Sequence, residues 1–307
     1  MKPRVAIIGA GVSGLTCGVV LAEAGYETAI FAAEPPADTT SAVAAAMWFP
    51  YDAQPLDKII AWALQSYEVF RELSRDRATG VSMIELRTFS RGDDLPIPSW
   101  AADFNARSLS KTEFVMTVPL SDTSIYLDYL QRRFRAAGGT MTTGVRFERP
   151  DDVSRAFEVA INCAGIGARQ LVDDYDLEPH RGQVVLVKKL DLRGAVVCDD
   201  APLLYAIPRA NDCVFGGTNE HSDELAPDPA TTAAIVSECC ATLRIPAPPI
   251  ITTRVGLRPF RKSGVRLELD RMADGRPLIH NYGHGGSGFT LSWGCAQTTL
   301  NYVNSIA

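Results

Sequence analysis

The sequence has no excess of basic charge, no C-x-x-C pair, few histidines and no unbroken apolar run long enough to span a membrane. Lysine plus arginine number 30 against 36 aspartate plus glutamate, a net charge of −6. An acidic chain without a basic run lacks the electrostatic footprint of a nucleic-acid binder. The seven cysteines (Cys17, Cys163, Cys198, Cys213, Cys239, Cys240 and Cys295) are odd in number and scattered. They read as small buried hydrophobes in a reducing compartment, not as a disulfide framework or a zinc site. Of the four histidines, His280 and His284 have helical spacing, but the Asn-Tyr-Gly between them signals a loop, and no metal is expected. Residues 5–22 carry no charge and follow Lys2 and Arg4, which mimics a signal peptide or membrane span. Gly9, Gly11, Gly14 and Gly18 interrupt that run and Glu23 closes it. No later span follows, and Ser-Ile-Ala at the end is not the Ser-Lys-Leu peroxisomal address, so a cytoplasmic protein is expected.

What is present points to an ordinary globular chain. With 307 residues, 46% hydrophobic and 21% charged, the length suggests two domains. Arg4 to Ile8 reads as a buried parallel strand, residues 12–24 as a helix stopped by Gly25, and Glu27 to Ala32 as a second strand, together a βαβ unit. Leu56 to Arg75 and Thr123 to Ala137 have the apolar stripes of amphipathic helices. Residues 81–121 are expected to hold strands of a second sheet, while Thr140 to Phe147 and Glu158 to Cys163 return to the first. From Val184 the pattern becomes short antiparallel strands: Val184 to Lys188, Val196 to Cys198, Leu203 to Ile207 and Cys213 to Phe215. A helix from Pro229 to Leu243 capped by Asp228 interrupts them, and strands near Ile250 to Arg254 and Val265 to Leu269 resume the sheet. Ser287 to Val303 reads as a closing helix. The expected fold is α/β plus α+β: a Rossmann-like dinucleotide domain (residues 1–50, 122–182 and 274–307) interleaved with an antiparallel-sheet substrate domain (51–121 and 183–273).

Two segments carry chemistry. Gly9, Gly11 and Gly14 form G-x-G-x-x-G between a strand and a helix, with Val12 and Ser13 at the helix start. The first glycine permits the tight turn, the second lets backbone approach a pyrophosphate, and the third allows close strand–helix packing. Glu34, twenty residues after Gly14 at the end of the second strand, can accept ribose hydroxyl hydrogens. The acid argues against NADP but leaves NAD and FAD open. The second segment is 278–288, where Gly285, Gly286 and Gly288 precede a helix and can face an anion or an electron-rich ring. A nicotinamide enzyme does not ordinarily need this second loop, whereas a flavin does. A hydrolase reading of Ser287 fails because G-x-S-x-G would need glycine where Phe289 stands. Gly256-Leu257-Arg258-Pro259 with Tyr205 offers an arginine fork and a hydroxyl suited to a carboxylate, although such an arginine alone is more often a surface ion-pair residue.

These residues resemble the D-amino-acid oxidase family of the bacterial kind. HNYGHGG-x-G-x5-G-x-A at 280–296 matches its signature completely, and the likeness extends through GAGVSGL at 9–15, DTTSAVAAAMWFPY at 38–51, NCAG at 162–165, RGQ at 181–183, LLYAIPR at 203–209 and GLRP at 256–259. The resemblance implies FAD on an extended Rossmann domain, with substrate held by an antiparallel sheet over the flavin. It implies that Tyr205 and Arg258 clamp the substrate carboxylate and that the Gly286 carbonyl takes the amino group. Thr39, Thr40, Ser41, Ala46, Met47 and Val145 would lie along the FAD, with Gly256, Arg258, Gly285, Gly286, Gly288, Phe289 and Thr290 near the flavin. The implied reaction is hydride transfer from Cα to flavin N5, reoxidation by dioxygen to hydrogen peroxide, and hydrolysis of the imine to a 2-oxo acid and ammonia.

The chain departs from animal members of that family. Their second, lid tyrosine is replaced by Ala201 in a shorter loop, and Ser287 stands for a common tyrosine. A shorter lid implies a more open pocket. Met47, Phe49 and Ile207 are the positions expected to face the substrate side chain, and an apolar wall favours neutral, hydrophobic D-amino acids. Arg209 could reverse this by pairing an acidic side chain, as in D-aspartate or D-glutamate oxidation, unless it turns to solvent. A glycine- or sarcosine-type amine oxidase and a non-catalytic FAD-binding module are the other readings. The expected partners are a D-amino acid and dioxygen, with a homodimer as the expected assembly.

Overall fold

The computed structural model describes residues 2–51 and 53–306. Its strands form two sheets. The first contains β1 (Val5–Ile8), β2 (Thr28–Ala32), β6 (Thr140–Thr143), β7 (Val159–Asn162), β14 (Arg266–Arg271) and β15 (Pro277–Tyr282), in the order β14-β15-β7-β1-β2-β6. All neighbours are parallel except β14, which runs antiparallel on β15. Strand β1 is buried along its whole length, as a central parallel strand must be.

The second sheet contains β3 (Val81–Phe89), β4 (Arg107–Ser110), β5 (Glu113–Ser121), β8 (Leu177–Lys188), β9 (Gly194–Cys198), β10 (Leu204–Pro208), β11 (Asp212–Gly216), β12 (Glu220–His221) and β13 (Ile250–Arg261). It is antiparallel apart from the β3–β9 pair. The fold class read from the sequence is therefore the observed one: a mixed α/β chain with one parallel and one antiparallel sheet.

Among the described residues there are seven α-helices: α1 (Val12–Glu23), α2 (Thr40–Val43), α3 (Leu56–Leu73), α4 (Thr123–Ala136), α5 (Ala168–Leu171), α6 (Pro229–Leu243) and α7 (Gly288–Ile306). Gly25 ends the first βα step at φ +81°, where glycine avoids the Cβ penalty. Asp228 caps α6 by accepting from the Thr231 amide at 2.7 Å. Among the described residues no helix is long and apolar enough to cross a membrane.

Period-two alternation decides what each face of the second sheet does. Val185, Val187, Val196, Cys198, Leu204, Ala206 and Phe215 pack with Ile235 and Cys239 of α6. The alternate residues Val184, Leu186, Val197, Tyr205 and Ile207 face the main core, which also contains α1, α3 and α7. The sheet thus carries α6 on one face and the interior on the other.

Three expectations are corrected. The strand 265–269 does not resume the antiparallel sheet; β14 is the edge of the first sheet, so that sheet begins again before residue 274. The 182/183 boundary cuts through β8, which is continuous from Leu177 to Lys188 and pairs with β13 throughout. Residues 280–282 are strand, not loop, so His280 sits within β15.

Candidate active site

A cavity of ≈ 400 Å³ runs between the two sheets, well within the range of ligand sites and far above a packing void. At one end lies the β1–α1 turn. Gly9 has φ +112°, and a Cβ there would come within 2.4 Å of the Cys163 carbonyl oxygen. A Cβ on Gly14 would fall 1.9 Å from the Gly9 carbonyl oxygen, so only glycines permit this turn to close. Gly9, Gly11, Val12 and Ser13 line the cavity, whereas Gly14 is buried behind it as a packing residue. The first turn of α1 carries no acid and its N-cap is Gly11, so its positive end meets the cavity without a carboxylate. Glu34 lies at the rim beside Arg146, 3.4 Å away.

The middle of the cavity is walled by the chain after β2. Thr39, Thr40, Ser41, Ala46 and Met47 all line it, as does Val145, whose amide donates to Ala32 O at 3.0 Å at the end of β2. Ser41 Oγ accepts from the Val12 amide at 2.9 Å, tying this wall to the start of α1. Ala46 holds φ +56°, a strained value for a residue with a Cβ. Backbone bonds on either side hold it: Ala46 O accepts from Ser121 at 3.0 Å and Trp48 donates to Pro119 O at 2.8 Å.

The other end is chemical. Tyr205 and Ile207 come from β10, Gly256 and Arg258 from β13, and Gly285, Gly286, Gly288 and Phe289 from the turn into α7. Arg258 donates to Thr218 O at 2.8 Å and to Asn219 Oδ1 at 3.3 Å, and it hydrogen-bonds Tyr205. No carboxylate pairs with it among the described residues. Burial pushes the Tyr205 hydroxyl pKa up, outweighing the nearby Arg258 charge, so the phenol remains a donor. Met47, Phe49 and Ile207 line the same end. His284 is buried, its pKa pushed down to about 4 by that burial, and its Nε2 lies 3.0 Å from Asn281 Oδ1. It is neutral at ordinary pH.

Thr290 is placed differently from expectation. It does not line the cavity; its hydroxyl accepts from the Phe49 amide at 3.1 Å and donates to Phe49 O at 3.0 Å. Ser287 treats Tyr51 the same way, at 2.7 and 2.5 Å. Arg209 turns neither to solvent nor into the cavity: it is 8% exposed and forks onto Asp212 with two bonds of 2.7 Å. Sequence reasoning did not single out Ala164 to Gly167 as site residues, although N-C-A-G marked their start; this turn after β7 lines the dinucleotide end. It also missed Gly182, where a Cβ would lie 2.6 Å from the Arg258 guanidinium carbon. Asp199, which also lines the cavity, had no motif to announce it.

These features fit FAD: a glycine turn and an open helix N-terminus for the pyrophosphate, an acid for the ribose, and a long cavity ending in a second glycine turn. Comparison with known proteins agrees. The family model described as DAO, FAD dependent oxidoreductase, matches residues 4–301. A D-amino-acid oxidase of Rubrobacter xylanophilus is 39% identical over 96% of this chain and 94% of its own length. One of Streptomyces coelicolor is 41% identical over the same shares, 96% and 94%. A glycine oxidase structure from Geobacillus kaustophilus superposes with a TM-score of 0.81 at 17% identity, covering 99% of this chain and 95% of that one, a likeness of fold alone. The chain belongs to the DAO family of FAD-dependent oxidoreductases.

Proposed function

We propose that the protein oxidatively deaminates neutral, hydrophobic D-amino acids to 2-oxo acids and ammonia. The observation that carries this reading is Arg258, a half-buried guanidinium without a counter-ion among the described residues, beside the Tyr205 hydroxyl and at the far end of the cavity. An arginine fork and a phenol donor suit an incoming carboxylate. The D-amino-acid oxidases of Rubrobacter and Streptomyces support the substrate class.

FAD, when bound, supplies the two-electron acceptor for the substrate Cα hydride, with dioxygen as the final oxidant and hydrogen peroxide as its product. This chain's residues do the rest by position. Arg258 and Tyr205 fix the carboxylate, and the exposed Gly286 carbonyl takes the amino group. Met47, Phe49 and Ile207 offer an apolar wall to the side chain, which penalises a desolvated second carboxylate. Arg209, the feature that would favour D-aspartate or D-glutamate, is committed to Asp212. No side-chain base is needed if the amine enters neutral; orientation carries the rate. In this reading residues 1–50, 122–176 and 266–306 hold the cofactor and the antiparallel sheet holds the substrate. Seven unpaired cysteines suit a reducing compartment, which we take to be the cytoplasm, and a homodimer is the proposed assembly.

A peroxide-coupled screen of D-amino acids, their L-enantiomers, glycine and sarcosine tests the reading. Turnover of D-methionine or D-valine above D-aspartate is expected. Preference for glycine or sarcosine would make it another amine oxidase, and no turnover would leave an FAD-binding module.

A further inference from the structure

Among the described residues the substrate end of the cavity holds two charged side chains, Arg258 and Asp199, of which only the first has so far been given a role. Asp199 follows directly on β9. Val197 pairs with Tyr205, and both face the interior, while Val196 and Cys198 face α6. Asp199 continues the interior face one step beyond the strand end, where it lines the cavity together with Leu203. Same-face neighbours along a strand are about 7 Å apart. The Asp199 backbone is therefore offset by about that distance from the Tyr205–Val197 pair, and the residue is exposed to solvent.

The nearby Arg91 is committed elsewhere: it bonds Asp200 O at 2.7 Å and Glu238 at 2.8 Å. Asp200 itself accepts from Ser90 Oγ at 2.9 Å and the Arg91 amide at 2.6 Å. Among the described residues none donates a hydrogen bond to Asp199 or forms an ion pair with it. Partial burial and then the Asp200 charge raise its pKa above the ordinary carboxyl range. Such a carboxyl gains from an arriving cation more than a fully solvated one does.

We propose that Asp199 is a specificity-determining residue that receives the terminal cation of a long side chain and so sets how this site weighs D-lysine against a neutral side chain of the same stem. The proposal rests on the D-amino-acid reading and extends it. With the substrate carboxylate on Arg258, the methylene stem of lysine runs along Val197, on the Asp199 side of Tyr205. The charged head then snorkels to Asp199 at solvent. A neutral side chain of equal length uses the same wall and leaves Asp199 with water.

The test compares D-lysine with D-norleucine, which has the same stem without the charge, on the holoenzyme and on Asp199→Asn. The ratio of kcat/KM, D-lysine over D-norleucine, should fall at least fivefold in Asp199→Asn, and Asp199→Arg should lower it further. Calorimetry with 6-aminohexanoate and hexanoate, which cannot be oxidised at an α-amine, should show the aminated acid binding more tightly to the wild-type holoenzyme and the difference lost in Asp199→Asn. Should Asp199→Asn not fold, the wild-type ratio should fall as ionic strength rises, since the carboxyl is exposed. A ratio moving less than fivefold in Asp199→Asn, or, where only wild type is measurable, one indifferent to salt, overturns the role of Asp199. Absence of turnover with D-norleucine and every other D-amino acid overturns the underlying reading instead.

Discussion

At the scale of single residues, the proposed carboxylate clamp depends on what its neighbours lack. A Cβ on Gly182 would lie 2.6 Å from the Arg258 guanidinium, and one on Gly216 only 2.0 Å from the Tyr205 ring, so both side chains occupy space that glycine leaves free. Arg258→Ala should retain FAD and lose about 2–5 kcal/mol in kcat/KM, as when one partner of a buried charge-assisted contact is removed. Tyr205→Phe should lose about 0.5–1.5 kcal/mol, mostly in KM. Gly182→Ala keeps the charge but displaces the fork, and should cut kcat/KM at least tenfold with unchanged flavin content; full activity would place the fork elsewhere. Two buried histidines make a separate prediction about pH. Burial pushes His284 down to about 4, and burial followed by the Arg266 charge does the same to His280. An unfolded histidine protonates near pH ~6.5, so between there and about 4 the unfolded chain binds more protons than the folded one. Their contribution is complete above ~6.5 and is lost as pH falls toward 4, at about 1.4 kcal/mol per pH unit for each. Urea unfolding at pH 5 and 7 measures this, and His284→Gln should shrink the difference; an undiminished difference would assign the titration to other groups.

At the scale of elements, the start of α7 acts through the segment before α3. Ser287 and Thr290 each exchange two hydrogen bonds with one residue of that segment, Tyr51 and Phe49 respectively, and so hold the wall on which Met47 and Phe49 sit. Removing either hydroxyl leaves a backbone amide and carbonyl unpaired, a cost of about 1–3 kcal/mol. Ser287→Ala and Thr290→Val should each lower the thermal midpoint and raise KM for hydrophobic substrates more than they lower kcat; an unchanged KM would limit these bonds to stability. Thr290 shows why a family motif can mark a site without touching the ligand. Elements with strong local signals were legible in the sequence: α1 between its glycines, α4 with its apolar stripe, and α6 with the Asp228 cap. Strands β8 and β13 were read as short because Pro179, Gly182 and Pro259 interrupt the apolar pattern. Their continuity comes from pairing each other from Leu177/Arg261 to Val187/Ile250. Buried Arg181 is tolerated in β8 because Glu224 O, Ala226 O, Gln183 and Glu220 receive its guanidinium. Likewise β14 looked like any exposed strand, and only its partner β15 determines its sheet.

At the scale of the whole molecule, the cavity is an interior space shared by the two sheets, and it gathers residues from both ends of the chain. The dinucleotide end was legible because glycine turns are constrained by backbone geometry that any reader can reconstruct. Asp199 was not, since its relevance depends on the β9–β10 register and on the neighbouring Arg91 being held by Asp200 O and Glu238. A ligand that fills such a seam binds only the folded chain and stabilises it by mass action, about 2.7 kcal/mol at a concentration one hundred times Kd. Each kcal/mol raises the midpoint of a chain of 150–250 residues by roughly 2–4 °C, and by somewhat less for a longer one. Apoprotein titrated with FAD should therefore gain several degrees and become yellow. ADP should give part of the gain, since the Gly9–Gly14 turn and Glu34 address only the adenosine diphosphate half. FMN, which lacks adenosine, should give the least. Differential scanning fluorimetry across the three ligands orders them, and Glu34→Ala should reduce the FAD and ADP gains while leaving FMN alone. Equal stabilisation by FMN and FAD would mean that the N-terminal turn does not hold the adenosine half, and the assignment of the cavity's two ends would fall with it.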